Sequence, residues 1–340
     1  MENFVIDLNT KKYLRYCDND ALKLKLELLY NEGNIILTNS GLQSNYIALD
    51  TIINKYENIN LVYGNELYHE SIELLKYYEK NVKIYKLNNN ILDLFKNKLN
   101  NQNNILFIES CSNPNGYIFD FDLIKEIRKL SLNLHVICDN TWITCSIFNP
   151  FQYDVDIVTI SLSKYYSGGN VICGACLFKN DDDYLIANNF IKITGVHVSP
   201  LQINIINNQI DYLDERIIKC SNLTYETLEY LYNYKNLIIN HPLINTHESY
   251  ILRKKYFKNN LIPSIFTIGI NIDKNKLLEI LNKLTILKIE TSFGSEQSKI
   301  DTYIYEFNNI PHIRLSIGYN DNFDRIKCGL IELIKLIEIN

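Results

Sequence analysis

Between residues 34 and 180 the chain alternates two textures. Short apolar runs, "NIILTNS", "NLVYGN", "VKIYKL", "NILFIES", "HVICDN", "DIVTISLS" and "ICGACLF", have the length and composition of strands. Between several of them lie stretches with apolar residues at helical spacing: "LQSNYIALDTIINKY", "HESIELLKYYEK" and "DFDLIKEIRKLSLN". Strands alternating with helices predict an α/β fold, a mostly parallel sheet covered on both faces. After Pro200 the pattern changes. A long helical stretch, "LQINIINNQIDYLDERIIKCSNLTYETLEYLYNY", leads to strand-like "PSIFTIGINI" and a helix, "KNKLLEILNKL". The strands "TILKIE" and "HIRLSIGY" and a closing helix, "FDRIKCGLIELIKLIEI", follow. That α+β texture predicts a smaller C-terminal domain. The expected division is a short N-terminal segment over 1–33, a large domain over 34–210 and a substrate domain over 211–340.

Composition narrows the partners more than the fold. In 340 residues the apolar fraction is 46%, the charged fraction 21% and the net charge −5, so nothing favours a polyanion. No basic block interleaved with aromatics points to nucleic acid, and no apolar run approaches the ~20 residues of a membrane span. The start, "MENFVIDLNTKK", lacks the layout of a signal peptide, so the expected location is cytoplasmic. Eight cysteines in this context predict free thiols. Cys173 and Cys176 have C-x-x-C spacing inside an apolar run, without a second pair or a nearby His. They are expected to be buried small residues, and no metal is expected.

In an open parallel sheet, ligands bind outside the carboxyl ends of the strands. The polar residues gather there. "ILTNSGLQSN" offers Ser40 and Gly41, "LVYGNELY" offers Tyr63, "FIESCSNPNG" offers Asn113, "VICDNTW" offers Asp139, and "TISLSK" offers Ser161, Ser163 and Lys164. Together these types support pyridoxal phosphate chemistry. A lysine amine forms an imine with the aldehyde of such a cofactor and then serves as a base. A carboxylate beside the pyridine nitrogen keeps that nitrogen protonated, and Asp139 at the preceding strand end suits the task. A glycine turn entering a helix supplies N–H donors and a favourable dipole for a phosphate. Hydroxyls of Ser161 and Ser163 add donors, and an aromatic such as Tyr63 stacks on the ring.

The order of these elements resembles the cystathionine γ-synthase / cystathionine and methionine γ-lyase family, the Cys/Met-metabolism branch of fold-type I pyridoxal phosphate enzymes. "TNSGLQSN" is similar to that family's phosphate turn, "VYGNELY" to its Y-G-x-T-Y segment and "ESCSNPNG" to its E-S-P-x-N-P. "CDNTWITCSIFNP" is similar to V-D-N-T-[FY]-x-T-P, and "SLSKYYSG" to S-x-T-K-Y-x-x-G-H. Further on, "TSFGSEQS" and "HIRLSIGYND" resemble S-L-G-G-x-E-S and L-[IV]-R-L-S-[VI]-G-x-E-D, and "YLR" near the start resembles Y-x-R.

The resemblance implies a role for each matching position. Lys164 would carry the cofactor and move protons, Asp139 would pair with the pyridinium, and Tyr63 would stack and act as acid or base. Gly41, Leu42, Ser161 and Ser163 would bind phosphate. Asn113 would help hold the cofactor. Arg314, with Asn113 and Ser292, would grip the α-carboxylate of an amino-acid substrate, for which a guanidinium fork is suited. Tyr13 and Arg15 would reach the phosphate of a neighbouring subunit, implying a homodimer or a tetramer. The stretch ahead of Y-x-R is nearly absent, which makes the dimer the firmer expectation. Position 291 is Thr where several members carry Glu, Tyr or Val. The implied activity is γ-elimination or γ-replacement on a sulfur-type amino acid. The alternatives are a β-lyase and a non-catalytic binding relative.

Overall fold

The seven apolar runs of the first half form one sheet in the computed structural model, which describes residues 20–64, 66–87 and 90–339. The strands are β1 (Asn34–Thr38), β2 (Asn60–Tyr63), β3 (Lys83–Lys86), β4 (Asn103–Glu109), β5 (Asn133–Asp139), β6 (Ile157–Ser161) and β7 (Gly174–Phe178). Their spatial order is β1-β7-β6-β5-β4-β2-β3. The pairs from β3 through β6 are parallel, and β7 runs antiparallel to both β6 and β1. The sheet is therefore mostly parallel, with one reversed strand near its edge.

Helices α1 (Asp20–Tyr30), α2 (Gly41–Ile53), α3 (His69–Tyr78), α4 (Ile91–Lys98), α5 (Leu123–Leu130), α6 (Thr144–Ile147) and α7 (Asp181–Thr194) accompany these strands. Strand periodicity explains how both faces are filled. Leu106 and Ile108 of β4 join one buried cluster, while Ile105 and Phe107 join another on the opposite face. Val136 and Ile137 of β5 divide the same way. The continuous apolar runs are thus strands buried on both sides.

The long helical pattern after Pro200 is two helices, α8 (Pro200–Gln209) and α9 (Leu213–Leu231), separated by a 3-10 turn at Ile210–Tyr212. Arg216 accounts for the break. Its Nη1 donates to the Gln209 carbonyl at 2.8 Å and to the Tyr165 carbonyl at 2.9 Å, so a side chain occupies an acceptor at the helix junction. α9 serves two cores: Leu213, Ile217 and Cys220 pack with the large sheet, and Leu228 and Leu231 with the second.

The second sheet contains β8 (Leu237–Asn240), β9 (Ile265–Ile270), β10 (Lys288–Ile289), β11 (Lys299–Ile300), β12 (Tyr305–Phe307) and β13 (Ile310–Ser316). Its order is β10-β11-β13-β9-β8, with β12 on β13. Helices α10 (Tyr250–Tyr256), α11 (Lys274–Leu281) and α12 (Phe323–Ile339) complete the chain. Phe266, Ile268, Ile313 and Leu315 of the central strands pack with Leu277, Leu330 and Leu333 of α11 and α12. Among the described residues no helix is long and apolar enough to cross a membrane.

Cys173 and Cys176 lie in and beside β7, where a three-residue offset reverses the side-chain direction. Accordingly the two buried thiols belong to opposite faces, one facing the Thr38 carbonyl at 3.2 Å and the other the Ser44 carbonyl at 3.0 Å.

Candidate active site

Neighbouring strands β4 and β5 end on carboxylates. Glu109 pairs in register with Asp139, and β6 ends beside them at Ser161. Above these ends lies a cavity of about 650 Å³. Gly41, Leu42, Asn113 and Asp139 line it from the first half of the chain, as do Ser161, Ser163 and Lys164. Thr291, Ser292 and Arg314 close it from the second sheet and its loops.

Asp139 sits deep in this cavity. One carboxylate oxygen accepts from Asn45 Nδ2 at 3.1 Å and the other from the Thr141 backbone N–H at 2.9 Å. Asn45 is itself fixed, because its Oδ1 accepts from the Thr159 hydroxyl at 2.5 Å and its Nδ2 reaches Ser71 Oγ at 3.2 Å. These donors are neutral. Burial consequently raises the Asp139 pKa, and a cation facing it would relieve that cost. Glu109 is held well above the usual carboxylate range by burial and by Asp139 beside it. It accepts from the Tyr68 backbone N–H at 2.6 Å and the Asn113 N–H at 3.3 Å, tying together the loops after β2 and β4.

Lys164 follows β6. Its Nζ donates to Ser292 Oγ at 2.6 Å and lies 4.8 Å from the centre of the Phe293 ring. Burial, with Arg314 and Lys299 nearby, lowers its pKa to about 8. Ser292 meets it from a backbone with φ of 79°, a conformation costly for a residue with a Cβ and concentrated at functional sites.

The turn into α2 fits an anion. Ser40 caps the helix by accepting from the Gln43 N–H, and the Gly41 and Leu42 amides of the first turn have no intrahelical acceptor. Glycine is required there, because a Cβ at Gly41 would stand 2.6 Å from Ser161 Cβ. Ser163 is less free than its position suggests. Its hydroxyl donates to the Cys173 carbonyl and accepts from the Cys173 N–H, both at 3.0 Å.

Tyr63 is not brought to this cavity. It ends β2, packs against the apolar cluster on one sheet face, and is absent from the cavity wall. Tyr68, five residues on and at the start of α3, lines the cavity instead. Burial raises its phenol to about 12. Tyr13 and Arg15 lie outside the described residues.

Arg314 enters from β13. Its Nη1 donates to Asn113 Oδ1 at 3.0 Å and its Nη2 pairs with Asp301 Oδ2 at 2.6 Å. Two buried donors on the cavity wall, Arg314 Nε and Trp142 Nε1, have no acceptor among the described residues. Unpaired buried donors are costly unless something in the cavity accepts from them. Trp142, Asn45, Thr141, Glu109 and Tyr68 all escaped the strand-end reading. For Asn45 a signal existed: a buried polar residue one helical turn after Gly41.

Comparison with known proteins identifies the arrangement. The family model described as "Cys/Met metabolism PLP-dependent enzyme" matches residues 8–338. The chain belongs to that family. Members use pyridoxal phosphate (PLP), and the residues present fit it: a half-buried carboxylate with no cation paired to it among the described residues, a glycine-tight helix start whose first amides lack intrahelical acceptors, and a half-buried lysine, all in one cavity.

Among similar family proteins is the cystathionine β-lyase of Schizosaccharomyces pombe, 24% identical over 319 residues, 91% of this chain and 80% of that protein. The L-methionine γ-lyase of Fusobacterium nucleatum subsp. polymorphum is 24% identical over 245 residues, covering 70% of this chain and 61% of that one. A crystal structure of a putative O-acetylhomoserine (thiol)-lyase from Campylobacter jejuni, containing a pyridoxyl-lysine phosphate, superposes with a TM-score of 0.83 at 23% identity. It covers 95% of this chain and 87% of its own. The fold is that of fold-type I PLP enzymes, and the chain is a PLP-dependent enzyme of the Cys/Met-metabolism family.

Proposed function

We propose that this protein catalyses γ-elimination or γ-replacement on a sulfur-type amino acid at the cavity between its two sheets. The observation that carries the proposal is the convergence on one cavity of a half-buried amine, Lys164, a half-buried carboxylate, Asp139, and a buried guanidinium, Arg314. When bound, PLP would supply an aldehyde for Lys164 and a protonated ring that accepts electrons from the substrate's α-carbon.

Each residue then has a task set by its surroundings. Asp139, oriented by Asn45 and Thr141, holds a proton on the ring nitrogen. The Gly41 and Leu42 amides and Ser161 receive the phosphate, with Ser163 buttressing the loop through Cys173. Tyr68, which lines the cavity where Tyr63 does not, would stack on the ring and border the substrate. Arg314 and Asn113 bind the α-carboxylate, and Arg314 Nε is a donor ready for it. With PLP bound, Lys164 Nζ would take the α-proton and then a β-proton from the substrate, so that the γ-substituent can leave with its bonding electrons and be protonated in turn. Ser292 Oγ is the acceptor that aims it. The active unit is proposed to be a homodimer or a dimer of dimers, with Tyr13 and Arg15 serving the neighbouring site.

A second reading, β-elimination, is favoured by the broad match to a β-lyase. Product analysis separates the two. Incubation of the cofactor-loaded protein with cystathionine, methionine, cysteine and O-acyl-homoserines is expected to yield 2-oxobutanoate or γ-substituted products. Pyruvate from cystathionine would instead establish β-elimination, and no turnover of any amino acid would refute both.

The lowered Lys164 pKa gives a pH prediction. Only the unprotonated amine attacks an aldehyde, so PLP capture by the apoprotein should speed up about tenfold per pH unit below about pH 8 and level off above it. An ordinary lysine would keep accelerating to about 10.5. Stopped-flow absorbance on mixing apoprotein with PLP measures the profile.

A further inference from the structure

The substrate grip contains an internal ion pair that the proposed reaction does not use. Arg314 and Asp301 are joined at 2.6 Å with side chains only 5% and 4% exposed. Asp301 directly follows β11, and its N–H donates to the Arg314 carbonyl at 2.9 Å, so the β11–β13 ladder sets the two side by side. The carboxylate is well supplied. Oδ2 also accepts from the Tyr305 hydroxyl at 2.9 Å, and Oδ1 accepts from the Tyr303 N–H at 3.3 Å and the Thr302 hydroxyl at 3.4 Å. The guanidinium is not. Of its five N–H donors, Asn113 and Asp301 take one each, and Nε is buried without an acceptor among the described residues. Asp301 therefore leaves the fork open to a ligand while offsetting its charge.

Offsetting that charge matters because Arg314 and Lys299 both lie near Lys164. Lys164 opens into the same cavity, and Lys299, two residues from Asp301 and 7% exposed, pairs among the described residues with the outward Glu290 at 3.0 Å. An unpaired Arg314 beside them would be a costly buried charge when the cavity is empty and an over-tight anion trap when it is filled. We infer that Asp301 is a specificity-determining residue that holds Arg314 in place and weakens the cavity's grip on carboxylates, so that a singly charged amino-acid carboxylate binds and leaves readily. This inference rests on the reading of Arg314 as the carboxylate site.

The test uses the cofactor-loaded protein and equilibrium dialysis of 2-aminobutanoate, which has no leaving group, against its uncharged amide. The parent is expected to prefer the acid; equal binding would refute the role of Arg314 itself and leave Asp301 without a function to modify. Given that preference, Asp301→Asn keeps the shape, removes a like charge a few ångströms from the ligand, and should widen the acid-over-amide preference about tenfold or more. Tyr305→Phe should act in the opposite direction. It strips a competing donor from Asp301 and should narrow the preference about twofold to threefold. An unchanged or narrowed preference in a folded Asp301→Asn protein overturns the inference. Should that variant fail to fold, an unchanged or widened preference in Tyr305→Phe overturns it.

Discussion

Replacing Lys164 with Ala is expected to reduce turnover at least about 10⁴-fold and to leave bound cofactor removable by dialysis. The estimate combines loss of the nucleophile that anchors PLP with loss of a positioned base, which by itself contributes about 10²–10⁴. The fold should tolerate the change. Lys164 faces an existing cavity, and among the described residues its amine has one hydrogen bond, to Ser292. Lys164→Arg distinguishes charge from chemistry, because a guanidinium preserves the cation but is never deprotonated in the accessible range. Both variants should be inactive. Borohydride reduction followed by peptide mass analysis should place the cofactor on residue 164 in the parent and nowhere in the variants. Turnover of either variant within tenfold of the parent would remove Lys164 from the mechanism.

Asp139→Asn is expected to lower turnover by about 10²-fold or more, with a smaller change in the apparent KM for the amino acid. Two effects act together. The carboxylate that keeps the ring nitrogen protonated becomes neutral, forfeiting a charge-assisted hydrogen bond of about 1.5–3 kcal/mol. In addition, Asn45 Nδ2 and the Thr141 N–H each donate to a separate carboxylate oxygen, whereas an amide offers only one oxygen. One donor would then face an NH₂ group, and the side chain would lose its orientation. Cofactor retention should fall as well, as measured by absorbance after gel filtration. Parent-like turnover and retention in this variant would mean that Asp139 does not contact the ring.

Asp139 lines the cavity and Tyr63 does not, and both placements have the same origin. A strand end is a local signal: the apolar run stops, and the parallel sheet requires that its next residues surround the ligand. That logic located Asp139, Ser161 and Lys164, whose positions follow from their own strands. Tyr63 also ends its strand, but the chain runs on to Tyr68, whose backbone N–H is drawn to Glu109, 41 residues away. Ser163 likewise spends its hydroxyl on Cys173, ten residues later.

The order of apolar runs and helical stretches determined the seven-stranded sheet, because burial on two faces leaves a continuous apolar run that any single segment displays. Asp139 and Lys164 were legible for a related reason, since each stands at or just past the end of an apolar strand, whereas Arg314, inside β13, was legible only through the family resemblance. Only the tertiary structure decided that Tyr68 rather than Tyr63 reaches the cavity, that Asn45 and Glu109 brace its walls, and that Asp301 shares Arg314. Each of these depends on contacts between segments far apart in the chain, and such contacts form by closing loops whose geometry no local pattern encodes.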